Sequence, residues 1–242
     1  MVYDPSTTHR RPGQLAALLP ALAARLLPPR CLACGEPGEG DRDLCTACAC
    51  ALPLAGQACP RCALPLPATA ACGACLQRPP PLQAARAAFV YAAPVDRLLR
   101  RHKFHNDLAA GRLLAQLMAP AFAGCERPGA LVPVPLHHAR LRERGYDQAL
   151  ELARPLARRL RLPLRTDLLA RVRHTPAQSE LDATARRRNL QGAFRVARGL
   201  LPAHVVLFDD VMTTGATLHA AATALRTAGV ARVDAWICAR VP

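Results

Sequence analysis

The sequence predicts an α/β protein: a doubly wound, mainly parallel sheet over residues 85–242, preceded by a short N-terminal helix over 1–30 and a small cysteine-rich domain over 31–77. Three observations predict it. Eight of the 11 cysteines fall into four Cys-x-x-Cys pairs before residue 77. Beyond residue 85, strand-length apolar runs alternate with segments of helical periodicity, the pattern of a parallel sheet wrapped by helices. One of those runs, Val205–Phe208, is apolar on both faces, as a central strand covered from both sides must be.

At the N-terminus, residues 9–24 read "HRRPGQLAALLPALAA". The basic start, apolar run and Ala-x-Ala triplet are features of a signal peptide. The same segment reads as an amphipathic helix with Leu15, Leu18, Leu22 and Leu26 on one stripe and Pro20 near its middle. No run reaches the roughly 18 to 20 apolar residues that span a bilayer, so membrane insertion is not expected.

The cysteines favour the helix over export. Cys31 and Cys34, Cys45 and Cys48, Cys59 and Cys62, and Cys72 and Cys75 each form a knuckle in which both sulfurs can reach one ion. Two knuckles make a closed tetrahedral site of four thiolates. Gaps of ten and nine residues between paired knuckles leave room for one hairpin each. The expectation is a double zinc ribbon with about two Zn²⁺ ions. A disulfide framework is the competing reading, and an otherwise cytosolic composition speaks against it. Redox chemistry at one Cys-x-x-Cys pair would leave the other three unexplained. These zincs are structural, since all four ligands come from protein and no position is left for a catalytic water. A segment so rich in Pro and Ala has too small a core to fold without metal. Cys125 and Cys238 read as small core hydrophobes, and Cys50 is unassigned. The expected location is cytoplasmic.

After the proline-rich "RPPPLQ" at 78–83, the elements follow in order. Ala87–Tyr91 reads as a strand. Residues 94–103 and 107–122 read as helices, the second capped by Asn106 or Asp107. "ALVPVPL" is a buried strand ending in a proline-marked turn. Tyr146–Leu160 is helical, with Ala149, Leu150, Ala153, Leu156 and Leu160 inward and a kink at Pro155. A strand near Asp167–Val172 precedes the polar stretch "RHTPAQSELDATARRRNLQGAF". Strand 203–208, helix 216–228 and strand 232–239 close the chain. With aromatics at only 4%, the core must be built from Leu, Val and Ala.

Charge narrows the function. The 32 basic residues include one lysine, Lys103, and the formal net charge is +15. Such an excess points to phosphate-bearing partners, small or polymeric.

The most informative stretch is "VVLFDDVMTTGATL", Val205–Leu218. The end of a central parallel strand is where such sheets bind ligands. Asp209 and Asp210 there suit the vicinal diol of a ribose, because carboxylates accept hydrogen bonds from hydroxyls and repel phosphate. Thr213, Thr214, Gly215, Ala216 and Thr217 follow at a helix start, where hydroxyls and main-chain N–H groups cradle a phosphate. A sugar 5-phosphate fits that spacing. Arg140, Arg142 and Arg144 follow the Pro135 turn, and guanidinium forks suit a pyrophosphate, with Arg144 ahead of Gly145 the foremost of them. Lys103 stands out as a point charge in a chain that otherwise uses arginine. His102, His105, His137 and His138 have no evident partner.

"VVLFDDVMTTGATL" resembles the phosphoribosyl-pyrophosphate (PRPP) signature of type I phosphoribosyltransferases. From Leu26 onward the chain resembles the ComF family, whose members join a cysteine-rich ribbon to such a domain and are associated with DNA uptake in competent bacteria. The four Cys pairs, "FVYAAPVDRLLRRHKFHND", "VPVPLHHARLRERGYDQALELA" and "RHTPAQSELDATARRRNLQGAF" carry the resemblance with the PRPP signature. It implies a sheet of the type I phosphoribosyltransferase kind, Asp209 and Asp210 on the ribose hydroxyls, and Thr213–Thr217 on the 5-phosphate. The turn after "VPVP" would be the pyrophosphate loop, and Mg²⁺ would be bound mainly by PRPP's own oxygens. "ARRRN", Ala185–Asn189, would lie in a mobile lid.

Two functions follow. One is a PRPP-binding protein of DNA uptake, contacting single-stranded DNA and DNA-uptake proteins through its ribbon and Arg-rich surface, with Phe89, Tyr91, Phe104 and Tyr146 available for base stacking. The alternative is an active phosphoribosyltransferase of nucleotide or nucleoside metabolism. In it Asp209, Asp210, Arg144 and Lys103 would serve an oxocarbenium-like transfer to an unidentified acceptor.

Overall fold

The computed structural model describes residues 29–40, 42–173 and 192–242. Most of the helix expected over 1–30 lies outside the described residues, as do Arg186, Arg187 and Arg188. The chain forms two compact units divided between Cys50 and Ala51, inside the 31–77 segment.

In the first unit, Leu32 N–H donates to Asp43 at 2.9 Å and Glu39 N–H to Leu44 at 3.1 Å, which brings the first two knuckles face to face. The short helix α1, Thr46–Cys50, carries the second knuckle, and the Thr46 hydroxyl donates to Glu39 at 2.6 Å.

The second unit opens with the other two knuckles and the helix α2, Gly73–Gln77. Its main sheet holds β1 (Ala85–Val90), β2 (Ala130–Pro133), β5 (His204–Met212) and β6 (Arg232–Arg240), ordered β1-β6-β5-β2, and all three pairings are parallel. β3 (Leu169–Arg171) and β4 (Phe194–Val196) form a separate antiparallel ribbon. The strand expected at 167–172 is therefore not part of the main sheet. β5 and β6 are central because their runs Val205–Phe208 and Ala235–Ala239 are apolar on both faces, so neither needs a polar face toward water.

Side chains alternate between faces along a strand. On one face Val205, Leu207, Val233 and Ala235 pack with Ala221 and Leu225 of α7, Ala216–Thr227. On the other, Trp236 stacks on Phe122 of α4 (Leu108–Ala123) with ring centroids 4.7 Å apart, a pairing worth about 0.5–1.5 kcal/mol beyond its burial. α3 (Val95–Phe104) and α6 (Gln148–Leu160) pack against α4, and helices thus cover both faces.

Local rules explain the helix ends. Asp107 caps α4 by accepting from Ala110 N–H at 2.9 Å, and Asp147 caps α6 by accepting from Leu150 N–H at 3.1 Å. α6 buries Ala149, Leu152, Ala153 and Leu156, so Leu152 takes the inward place expected of Leu150 and Leu160. Cys238 is fully buried as expected, whereas Cys125 is half-buried beside the Arg86 guanidinium at 3.5 Å. Phe89 is fully buried and cannot stack on a base.

The proline-rich 78–83 segment is pinned rather than loose. Leu82 is 1% exposed, and the Gln83 side chain accepts from Val233 N–H. Upstream of it, residues 53–60 run along the outer edge of β1. Val90 N–H donates to Pro53, Ala55 N–H to Ala88, and Ala85 N–H to Pro60, at 2.8–2.9 Å. That covers an otherwise open sheet edge and ties the second pair of knuckles to the sheet.

Candidate functional site

Both cysteine tetrads, Cys31, Cys34, Cys45 and Cys48, and Cys59, Cys62, Cys72 and Cys75, have all their sulfurs within 4.8 Å of one another. Cys34 and Cys45 sulfurs lie 3.6 Å apart, as do those of Cys62 and Cys72. A tetrahedral zinc with Zn–S of about 2.3 Å needs a sulfur–sulfur edge of about 3.8 Å, far from the roughly 2.05 Å of a disulfide. The spacing fits the metal. The knuckles repeat one turn: Gly35 N–H donates to Cys31 and Ala63 N–H to Cys59, both at 2.8 Å, and Gly35 and Ala63 share left-handed φ values of 85° and 55°. Main-chain N–H groups also prepare one thiolate per site. Burial raises the Cys31 pKa, but N–H donors from Cys45, Cys34 and Ala33 outweigh it and bring the thiol to about 6. Cys59 reaches about 6 in the same way, against burial, through Cys72, Arg61 and Cys62.

The candidate cleft lies at the carboxyl end of the sheet. A cavity of about 480 Å³ is lined by Lys103, Arg144, Asp209, Asp210, Thr213 and Thr217. A small adjoining pocket of about 50 Å³ is formed by the Thr213–Thr217 loop with Asp209. Thr214, Gly215 and Ala216 belong to this pocket. Gly215 sits at φ 76°, and a Cβ there would collide with Met212 Cε and approach His219 Nε2 at 3.0 Å, so only glycine suits the turn. A cavity of about 520 Å³ lies at the amino ends of β1 and β6, lined by Arg86, Glu126, Arg232 and Trp236 among others. Among the described residues it has no loop like Thr213–Thr217 and no pair of adjacent acids, so the carboxyl-end cleft is the candidate site.

The two aspartates are not beyond the strand, as the expected end at 208 would have it, but within β5, which continues to Met212. Adjacent strand residues face opposite ways. Asp209 stays in register with Ile237 of β6. Asp210 N–H donates to Asp209 Oδ1 at 2.9 Å and Val211 N–H to Asp210 Oδ1 at 2.8 Å, which holds each carboxyl against its own strand. Both carboxyls still line the one cleft. Burial, then the neighbouring Asp210, pushes Asp209 well above the usual carboxylate range.

That shift makes an expected result. Stability from a carboxyl with a raised folded-state pKa is fully present below the unfolded value, about 3.9, and is lost as pH rises through the folded one. The melting temperature of the parent should therefore fall relative to that of Asp209→Asn as pH rises from about 4. A difference that stays constant from about pH 4 to 8 would show that Asp209 titrates normally.

Arg140 and Arg144 reach the cleft from α5, His138–Arg144, a helix that sequence reading leaves as a turn. Arg142 does not line it. His137 caps α5 by accepting from Ala139 N–H, and Gly145 closes it at φ 79° with its N–H on Leu141. Lys103 lies with its Nζ 5.8 Å from the Phe104 ring centroid. His102 is buried, its ring nitrogens near the carbonyls of Asp107 and Gln148, and the Tyr146 hydroxyl donates to the His102 carbonyl. His102 thus joins α3, α4 and α6.

Two cleft residues escape sequence reading. Asp147, besides capping α6, accepts from Leu136 N–H at 2.9 Å, fixing the turn after β2. Its pKa is raised by burial and by Asp210. Arg171 of β3 faces the cleft too. Burial and the charge of Arg140 lower its pKa, while Asp209 opposes them. Only the helix-cap pattern ahead of "QAL" could have flagged Asp147, and nothing local flags Arg171.

A phosphate-sized loop behind paired acids on the central strand of a parallel sheet defines a domain of the phosphoribosyltransferase type, here joined to zinc ribbons. The phosphoribosyl transferase domain family matches residues 147–242 and the double zinc ribbon domain family residues 22–76. The DNA utilization protein YhgH of Salmonella typhimurium is 38% identical over 204 residues, covering 81% of this chain and 90% of that protein. Competence protein F of Haemophilus influenzae is 38% identical over 178 residues, covering 70% and 78%. Competence protein ComFC of Bacillus subtilis is 29% identical over 204 residues, covering 79% and 81%. The chain belongs to the ComF family. No described helix is long and apolar enough to cross a membrane.

Proposed function

We propose that this chain is a PRPP-binding protein of the ComF type that acts in DNA uptake and natural transformation. One observation carries the reading: two acids on the central strand, a threonine and glycine loop of phosphate size, and the cations Lys103, Arg140, Arg144 and Arg171 all meet in one cleft. In this reading the loop Thr213–Thr217 holds the 5-phosphate through main-chain N–H groups and hydroxyls. Asp209 and Asp210 accept from the ribose hydroxyls, and Arg144 and Lys103 face the pyrophosphate. Mg²⁺ arrives with PRPP, bound mainly by its oxygens. Titration of PRPP with Mg²⁺ should give saturable binding. No heat and no protection against thermal unfolding would overturn the reading.

The DNA half of the proposal draws on the relatives' names and on a second surface. Between α4 and α6 runs a groove of about 420 Å³ lined by Arg112, Arg158 and Arg159 with Ala115, Gln116 and Pro155. Among the described residues no acid and no aromatic lines it, which suits phosphates contacted without base readout. Each phosphate contact on a single strand contributes about 0.7 to the slope of log affinity against log salt, so Arg112→Gln with Arg158→Gln and Arg159→Gln should flatten the slope by about 2. Gel shifts across a salt series measure this, and an unchanged slope would remove the groove from the DNA path.

A further inference from the structure

The last residue of β6, Arg240, is only 8% exposed, and none of the ion pairs among the described residues includes it. Its acceptors are main-chain carbonyls. Nε donates to Cys62 at 3.0 Å, Nη1 to Met212 at 3.2 Å, and Nη1 also to Val241. A buried guanidinium held by neutral carbonyls is sensitive to the loss of any one of them, because the charge then stays desolvated without compensation.

The two ends of this bridge matter. Cys62 belongs to the second tetrad, in a knuckle whose turn passes through Ala63 at φ 55°. A left-handed alanine is held only where its surroundings insist on it. Met212 is the final residue of β5, and Thr213–Thr217 begins at the next peptide. The Met212 carbonyl also accepts from Val241 N–H at 3.0 Å, and its side chain packs under Gly215. The Arg240 side chain therefore spans from the peptide of a metal ligand to the peptide that launches the phosphate loop.

We infer that Arg240 is a positioning residue that couples the second four-thiolate site to the Thr213–Thr217 loop, so that metal in the one and phosphate in the other strengthen each other. The inference rests on the reading of that loop as a phosphate cradle. Metal fixes the knuckle, the knuckle fixes the Cys62 carbonyl, and Arg240 transmits that position to Met212. Coupling between binding equilibria is reciprocal. Phosphate at the loop must then tighten zinc binding at the second site and leave the first site, which lies in the other compact unit, untouched.

The test uses the zinc-loaded full chain and inorganic phosphate. Zinc transfer to a chromogenic chelator is measured at equilibrium with and without saturating phosphate, with Cys34→Ser and Cys62→Ser variants assigning each zinc to its tetrad. In the parent, phosphate should tighten zinc at the second site about tenfold, the size expected of one hydrogen bond to a charged group, and leave the first site unchanged. In Arg240→Met, which keeps the length and removes the donors, the phosphate effect should vanish and phosphate affinity by titration should fall about tenfold. Arg240→Lys should restore part of both. If the parent binds phosphate but zinc affinity at its second site ignores it, the coupling is refuted while the cradle reading stands, and Cys34→Ser, a change in the other unit, suffices to identify that site. If the parent binds no phosphate, the cradle reading itself fails and takes the coupling with it.

Discussion

Replacing Asp209 and Asp210 together by Asn should weaken PRPP binding about 10²- to 10⁴-fold, since each hydrogen bond involving a charged partner contributes roughly 1.5 to 3 kcal/mol. The substitution keeps side-chain size in a strand paired residue by residue to β6 through Met212, so β5 should still form. The carboxamide oxygens introduced at both positions can still accept from N–H groups, which retains the local bonds from the main chain of Asp210 and Val211. Inorganic phosphate, which on this reading needs only the Thr213–Thr217 loop, should bind as tightly as before, or slightly more tightly once negative charge has left the cleft. Isothermal titration of both ligands with Mg²⁺ present, on protein whose fold is checked by circular dichroism, reads the result. Equal PRPP affinity in parent and variant would reduce the two acids to a structural role and withdraw the assignment of this cleft to PRPP.

The second large effect concerns the tetrads, and it should be unequal between them. Elemental analysis of the purified chain should find about two Zn²⁺ per molecule. Cys62→Ser with Cys72→Ser should then remove one zinc and destabilise the sheet-bearing unit severely, because Cys59, Cys62, Cys72 and Cys75 sit in the same buried cluster as Leu82, Ala85 and the sheet. Structural zinc contributes about 10 kcal/mol or more of binding free energy that is also folding free energy, and even a fraction of it corresponds to a fall in melting temperature on the order of 10 °C. Cys34→Ser with Cys45→Ser should remove the other zinc and leave that transition in place, since the first tetrad is more exposed and belongs to a separate unit. Equal thermal losses for the two double variants would contradict this asymmetry, and intact disulfides in a zinc-free protein would contradict the sites themselves.

The strands β5 and β6 and the helix α7 between them are legible in the sequence because each states its own period and burial: the apolar runs Val205–Phe208 and Ala235–Ala239, and between them a helix opened by glycine. The tetrads are legible because metal coordination fixes ligand spacing locally. α5 is not. "HARLRER" has one apolar side chain besides alanine, Leu141, and that one is exposed, so no stripe announces a helix. Arg171 enters the cleft only because β3 pairs with β4 across more than twenty residues, a contact that no local pattern encodes. The break in composition at Gln77 looks like a domain edge, yet the second tetrad packs into the sheet-bearing unit, because burial against a distant strand leaves no trace in the knuckle itself. The aspartates show the same limit at finer scale. Their chemistry can be read from "DD", but their placement inside the strand, on opposite pleats, depends on how far β6 continues beside them.

Lys103, at the rim of the cleft, has a practical consequence that follows from its being the only lysine in 242 residues. An amine-selective fluorophore has one side chain to react with, and the α-amino group, with its lower pKa near about 8, can be distinguished from it by the pH of labelling. Dye uptake at Lys103 can thus be followed by peptide mass mapping without engineering a single residue, and a ligand that fills the cleft should slow it. A chain that has exchanged nearly every ammonium for a guanidinium has, in doing so, left a single chemically addressable amine side chain beside the space in which its small-molecule partner is expected to sit.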